Sequence, residues 1–224
     1  MKWSLFKKKQ VPEFDFDNIS KDSNYVFVHV PKNAGTTISQ LLGIDVSRHY
    51  TVSEYKAMLG RKQYEALFSF AIVRNPFSRF LSLYNYARMD ESYYHSAIKP
   101  EKAIYGKHMD YDTLQHASIA EAALLLKEGK LVHNPPHNQW KPQTFWLKND
   151  VGKLDLDFIG RFETLEEDVK QIVEKLGIRP VNALKKTNAS KKKGSSYREV
   201  IDDNTRKILE EYYASDLETF GYEF

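Results

Sequence analysis

The stretch YVFVHVPKNAGTTISQLLG, residues 25–43, decides how this chain is read. Tyr25–Val30 is mostly apolar and β-branched or aromatic, with Asn24 and Pro31 as boundaries, which predicts a buried strand. From about Thr36 to Leu42 the pattern turns helical, and Gly43 supplies the stop. Strand, tight loop and helix in that order suit an anion, because a helix N-terminus presents unpaired N–H groups and a positive partial charge. A nucleotide-binding P-loop, G-x-x-x-x-G-K-[ST], has its lysine directly before the hydroxyl residue, whereas Lys32 here precedes Gly35, Thr36 and Thr37. Read as an anion loop, Asn33, Ala34, Gly35, Thr36 and Thr37 wrap the ligand. Gly35 lets the backbone approach, the threonines add hydroxyl donors and Lys32 brings a mobile ammonium. Taken alone, the stretch also reads as an ordinary strand-to-helix turn.

A second stretch repeats the arrangement. FSFAIV, residues 68–73, predicts another buried strand, leading directly into RNPFSRFLSLYNYAR. There Asn75 can cap a helix and Pro76 can take its first position, where no N–H is needed. Arg74 stands at the strand end and Ser82 two helical turns beyond, so a guanidinium and a hydroxyl can converge on a second anion. The plainer reading pairs Arg74 with a carboxylate and leaves Ser82 as a helix polar residue.

Working outward, residues 53–68 predict an amphipathic helix interrupted by Gly60, and residues 117–129 a further helix. Residues 90–115 are aromatic-rich, polar and without period, as in an insertion or lid, and the proline-rich segment 130–143 is a loop. A strand follows at 156–162. The sequence Thr164-x-x-Glu167 is a capping box opening a helix over 165–176. A lysine-rich loop at 185–196 precedes a last helix from about Asp203 to Ala214. Strands alternating with helices predict an α/β fold, a P-loop-like central parallel sheet flanked by helices. One domain over 25–224 follows an N-terminal extension at 1–24.

Composition sets the chemistry's limits. The net charge of +3 fits an anionic ligand but is too mild for a dedicated nucleic-acid binder, so no nucleic acid is expected as a partner. The absence of cysteine excludes disulfides, zinc–thiolate sites, iron–sulfur clusters and a cysteine nucleophile. The opening MKWSLFKKKQ has no apolar core and no run approaches the length of a membrane span, so a cytoplasmic protein without signal peptide or transmembrane segment is expected.

Together the motifs resemble the sulfotransferases that use 3′-phosphoadenosine 5′-phosphosulfate (PAPS), in particular the carbohydrate type, sulfotransferase family 2. PKNAGTT at 31–37 is similar to that family's P-K-x-x-(G/S)-T-(T/S) loop, and RNPFSRFLSLY at 74–84 to its R-(N/D)-P-x-x-R-x-x-S-x-Y segment. FIGRFETLEED at 158–168 resembles a third family segment, and the closing DLETFGYEF the end of bacterial members. The resemblance runs from about residue 25 to 224 and implies roles. Lys32 would stabilise charge on the oxygen bridging sulfuryl group and 5′-phosphate. Residues Asn33–Thr37 would hold the 5′-phosphate, and Arg74 and Ser82 the 3′-phosphate of PAPS and of its product, 3′-phosphoadenosine 5′-phosphate (PAP). Lys192, Lys193 and Gly194, in KKKGSSYR, would belong to a basic segment closing over the donor, although a lysine run is also read as a solvated surface.

The reaction also needs a base for the acceptor hydroxyl. His49 is the first candidate, His133 and His137 come next and Glu54 is the carboxylate alternative, while His29 reads as a core residue. No metal is required, since no carboxylate pair is set to hold Mg²⁺. The implied acceptor is a carbohydrate or another hydroxyl-bearing molecule. His133, His137, Lys141 and Gln143 could contact it, and Tyr93, Tyr94, Tyr105, Tyr111, Trp140 and Trp146 either stack on sugar rings or pack the core. Two rival readings share the same architecture. A small-molecule kinase is disfavoured by the lysine's position, and a non-catalytic nucleotide- or nucleic-acid-binding protein is suggested by the KKK runs at 7–9 and 191–193.

Overall fold

A computed structural model of the protein describes residues 16–20, 22, 24–90, 107–132, 137–179 and 196–224. At its centre lies β3 (Phe68–Val73), paired in parallel with β2 (Tyr25–Phe27) on one side and with β4 (Phe158–Arg161) on the other. A short β1 (Ile19–Ser20) joins β2 antiparallel, giving the order β1-β2-β3-β4. The sheet is therefore mixed at one edge, where the sequence predicts purely parallel pairing. A two-residue strand cannot announce itself by alternation, so only its pairing reveals it.

The α/β expectation itself holds. Flanking the sheet are α1 (Gly35–Leu42), α2 (Val52–Leu59), α3 (Arg61–Tyr64), α4 (Pro76–Ala87), α5 (Tyr111–Leu114), α6 (Ile119–Lys127) and α7 (Thr144–Leu147). The chain then adds α8 (Leu165–Leu176), α9 (Tyr197–Val200), α10 (Asp203–Tyr212) and α11 (Ala214–Phe220). Because strand side chains alternate between faces, one face of the sheet carries Tyr25, Phe27, Phe70 and Ile72, packed on Ile38 and Leu41 of α1 and Val169 and Ile172 of α8. The other carries Val26, Val28, Ala71 and Val73, packed on Val52, Tyr55 and Leu59 of α2 and on Trp146 and Leu147. A third cluster, with Phe77, Phe80 and Leu83 of α4 and Leu209 of α10, extends the molecule beyond the sheet. β3 is thus buried on both faces, which is why FSFAIV reads as a continuous apolar run.

Local rules set most element ends. The Asn75 side chain accepts from Phe77 N–H at 3.1 Å and Ser78 N–H at 3.4 Å, with Pro76 at the first helical position, as predicted. Thr51 and Glu54 form a reciprocal capping box on α2, and Gly60 (φ 77°) separates α2 from α3. The capping box expected at Thr164 and Glu167 is absent. Thr164 instead donates its hydroxyl to Asp168 Oδ2 at 2.7 Å, an atom that also accepts Arg161 N–H at 2.7 Å. With φ −117° and ψ 30°, Thr164 lacks the extended backbone from which a cap side chain reaches forward. The last predicted helix ends at Tyr212, and the closing segment forms the separate helix α11.

Residues 91–106 of the expected insertion, with Tyr93, Tyr94 and Tyr105, lie outside the described residues. Of the remainder, His108, Asp110, Tyr111 and Leu114 are buried, while Lys107, Met109, Asp112 and Thr113 are exposed. Among the described residues no helix is long and apolar enough to cross a membrane.

Candidate active site

The loop after β2 turns away from the sheet at Pro31, which has no N–H to continue a ladder. Lys32 (φ 68°) and Ala34 (φ 60°) then take left-handed conformations, unusual for residues with a Cβ and costing about 1 kcal/mol each. Surrounding side chains hold this shape. Arg79 Nε donates to Pro31 O at 3.0 Å, and Arg74 Nη1 to Lys32 O at 3.3 Å. Asn33 Nδ2 donates to Ile72 O at 2.8 Å and to Gln143 Oε1 at 2.6 Å. In α1 the first bond runs from Ile38 N–H to Ala34 O, so Gly35, Thr36 and Thr37 have amides with no partner inside their helix. Thr36 is exposed and Thr37 half-buried, with their hydroxyls free of other described residues. The sequence reading ties Gly35 to the approach of an anion. In the fold, what presses on it is His29: a Cβ at residue 35 would stand 1.6 Å from His29 Nε2.

Arg74 lies across this loop from the end of β3. Its Nε donates to Ser78 Oγ at 3.0 Å and its guanidinium stacks on Phe162, 4.1 Å from the ring centre. No carboxylate oxygen pairs with it among the described residues. Desolvation holds its pKa down, to about 10, against the opposing influence of nearby Glu163. Lys32 sits over the Tyr86 ring at 4.0 Å, also without a carboxylate partner among the described residues. Desolvation and then the charge of Arg74 lower its pKa to about 8. Ser82, half-buried on α4, makes no hydrogen bond to a described residue, and Ser78 is the hydroxyl that touches Arg74.

Beside the loop stands a group of histidines. His49 Nδ1 is 2.8 Å from His29 O, and since a carbonyl can only accept, Nδ1 carries the proton and Nε2 keeps the lone pair. The two rings lie 4.2 Å apart. Desolvation lowers the His49 pKa to about 4; its bond to His29 opposes this, and Arg79, Arg48 and His137 add to it. His49 is neutral at pH 7. His29, bonded through Nδ1 to Ser47 Oγ at 2.7 Å, is held neutral by burial and by His49. His137 pairs through Nε2 with Glu54 Oε2 at 2.7 Å. That oxygen also accepts Thr51 N–H and Thr51 Oγ1 at 2.7 and 2.8 Å. Desolvation raises the Glu54 pKa, but the bonds from Thr51 and His137 outweigh it and leave the carboxyl below its ordinary value.

The remaining sequence candidates separate. Lys141 extends over Phe145, 3.8 Å from the ring centre, close to the His137–Phe145 contact. Gln143 is fully buried with both ends of its amide bonded inside the protein, so it offers nothing to an acceptor molecule. Trp140 and Trp146, too, are fully buried, which rules out stacking on a sugar and makes them core residues. Their indole N–H groups bond to Asp110 Oδ2 and His49 O. His133, Lys192, Lys193 and Gly194 lie outside the described residues.

Arg79 escaped the sequence reading of function. Fully buried, it donates to the carbonyls of Pro31, Gln139 and Lys141 and so ties the Lys32 loop to the segment after residue 137. The only sequence signal was its fixed place within RNPFSRF.

Residues 17–223 match the model of the sulfotransferase family. No curated protein and no solved structure matches the chain. With nearly its full length matched, the chain belongs to the sulfotransferase family.

Proposed function

We propose that this sulfotransferase takes its sulfuryl group from PAPS and passes it to a carbohydrate hydroxyl by in-line displacement. The observation that carries the donor assignment is the pair Lys32 and Arg74. Two cations on loops after adjacent parallel strands lie close enough for Arg74 to lower the Lys32 pKa, both are desolvated, and neither has a carboxylate partner among the described residues. Such an arrangement is costly when empty and is repaid by a polyanion spanning both loops.

In this reading the amides of Gly35, Thr36 and Thr37, with the threonine hydroxyls, bind the 5′-phosphate at the start of α1. Arg74 binds the 3′-phosphate through guanidinium N–H groups not used by Ser78 and Lys32 O, with Ser82 facing the same group from α4. The resemblance of KKKGSSYR to the family's basic segment supports Lys192, Lys193 and Gly194 as further donor contacts. His49 Nε2 accepts the proton of the acceptor hydroxyl as its oxygen bonds to sulfur. The bond from sulfur to the bridging oxygen breaks, and Lys32 stabilises the electron pair left on that oxygen. His137, oriented by its 2.7 Å bond from Nε2 to Glu54, is the second candidate for the base. With Lys141, which shares Phe145 as a neighbour, it also forms the proposed edge of the acceptor site, and His133 is proposed as an acceptor contact on the sequence alone. A carbohydrate is the acceptor class that the family resemblance of the motifs supports.

Isothermal titration without added metal, comparing PAP, adenosine 5′-phosphate and ATP, tests the donor. PAP is expected to bind at micromolar or tighter concentration and clearly ahead of both others. Equal binding of PAP and adenosine 5′-phosphate would overturn the assignment and favour a nucleotide-binding module instead.

A further inference from the structure

The strands β2 and β3 separate where they deliver Lys32 and Arg74, and backbone pairing stops there: Val28 N–H to Phe70 O, at 2.9 Å, is the last backbone bond between them. Beyond it, side-chain amides take over. Gln143 Oε1 accepts Arg74 N–H at 2.8 Å while Gln143 Nε2 donates to Arg74 O at 2.8 Å, the two-point pairing that a neighbouring strand would provide. The same Oε1 accepts from Asn33 Nδ2 at 2.6 Å, and Asn33 donates also to Ile72 O. Gln143 therefore bonds simultaneously to the residue after Lys32 and to the backbone of Arg74. Its own position is fixed from the far side by Asp216 of α11, fully buried, whose Oδ2 accepts from Gln143 N–H at 2.7 Å and Gln143 Nε2 at 3.1 Å. Asp216 Oδ1 accepts Thr144 N–H at 2.9 Å, completing the cap of α7.

Resting on the PAPS reading above, we infer that Gln143, held by Asp216, is a positioning residue that sets the distance between the 5′-phosphate loop and the 3′-phosphate arginine. A ligand gripped at both ends gains from two sites only when their spacing matches its own, and that gain is lost when the spacing drifts. An amide is suited to the place because it both accepts and donates along one plane. An ordinary core glutamine would contribute to folding alone. This one predicts a selective loss.

The test is the pair of dissociation constants for PAP and adenosine 5′-phosphate, by titration calorimetry, in the wild type and in Gln143→Met, which keeps volume and removes the amide. Both are measured well below the melting temperature, with the competent fraction taken from the stoichiometry. PAP binding is expected to weaken by about tenfold or more, the equivalent of one or two lost hydrogen bonds, while adenosine 5′-phosphate, gripped at one end, changes less than about threefold. Asp216→Asn, which keeps the shape and removes the charge, is expected to move the same ratio in the same direction by a smaller factor. A merely structural role would lower the melting temperature and the competent fraction and leave the ratio unchanged in both variants, which would overturn the inference while the wild type's preference for PAP still stood. A wild type without that preference would remove the PAPS reading, and the inference with it.

Discussion

The Lys32–Arg74 side and the histidine side of the candidate site are built on opposite electrostatic plans. Around Lys32 and Arg74 charge is concentrated with no carboxylate directly paired to either among the described residues, and each cation rests on an aromatic face, Tyr86 or Phe162. Around His49, His29 and His137 the charge is suppressed or paired: two imidazoles are held neutral, and the third faces the carboxylate of Glu54. The difference teaches where a ligand's own charge belongs. The first region suits the polyanion proposed as donor, and the second a neutral hydroxyl and its proton.

The contrast breaks most visibly at Lys32. Lys32→Ala is expected to reduce turnover by about 10²–10³-fold, as when one donor to a developing oxyanion is removed, with PAP binding changed only a few-fold. Arg74→Ala should do the reverse, weakening PAP by about 10–100-fold as a charged hydrogen-bonding partner is lost. Single-turnover rates and titrations on the two variants separate the roles, and identical profiles would collapse the distinction between a transition-state cation and a binding cation.

Where the two regions touch, Gly35 meets His29. Gly35→Ala is expected to cost about 1–3 kcal/mol from overpacking, because the new Cβ would collide with His29 Nε2. In the double variant with His29→Ala most of that loss should return, read as the coupling in a thermal or urea double-mutant cycle. Additive effects would mean that some other contact restricts residue 35.

A smaller effect sharpens the comparison by pH. In the proposed mechanism Lys32 acts protonated, and its pKa lowered to about 8 places the expected loss of kcat/KM on the alkaline side, falling as pH rises through about 8. In the same proposal His49 acts neutral, and its pKa lowered to about 4 places the expected acid limb there, with activity lost as pH falls through that value. His49 also destabilises the fold in acid, since its folded pKa lies below the unfolded value: as pH falls from about 6.5 towards 4 the unfolded chain binds a proton that the folded one refuses. A pH–rate profile whose acid limb stays in place in His49→Ala would transfer the base role away from His49.

Much of this molecule was legible from short stretches. FSFAIV marked β3, Asn75-Pro76 the start of α4, and PKNAGTT the loop, because burial on two faces, capping and φ restriction act within a few residues. Leu165–Leu176 was read to its end residues, yet its capping box failed, because Asp168 outcompeted Glu167 for the same threonine. The end of the helix from Asp203 was placed near Ala214, but the further helix after it, which begins at the turn on Tyr213, was missed for a related reason. Tyr213 is fully buried with its hydroxyl bonded to Trp140 O, a contact 73 residues distant that no local pattern records.

By itself the sequence determined that a strand ends in a lysine loop, that a second strand ends in an arginine, and that both are followed by helices. Those are consequences of local periodicity and of the few residue types that can cap, turn or carry charge. Only the tertiary structure decided which polar groups would meet. Gln143 looked like a candidate to touch an acceptor, and Arg79 like one more helix residue, until folding placed the first between Asn33, Arg74 and Asp216 and the second on the carbonyls of Pro31, Gln139 and Lys141. An amide or a guanidinium carries the same donors wherever it lies in a sequence. Its role is set by the acceptors that burial brings within 3 Å, and these come from segments that the chain order keeps far apart.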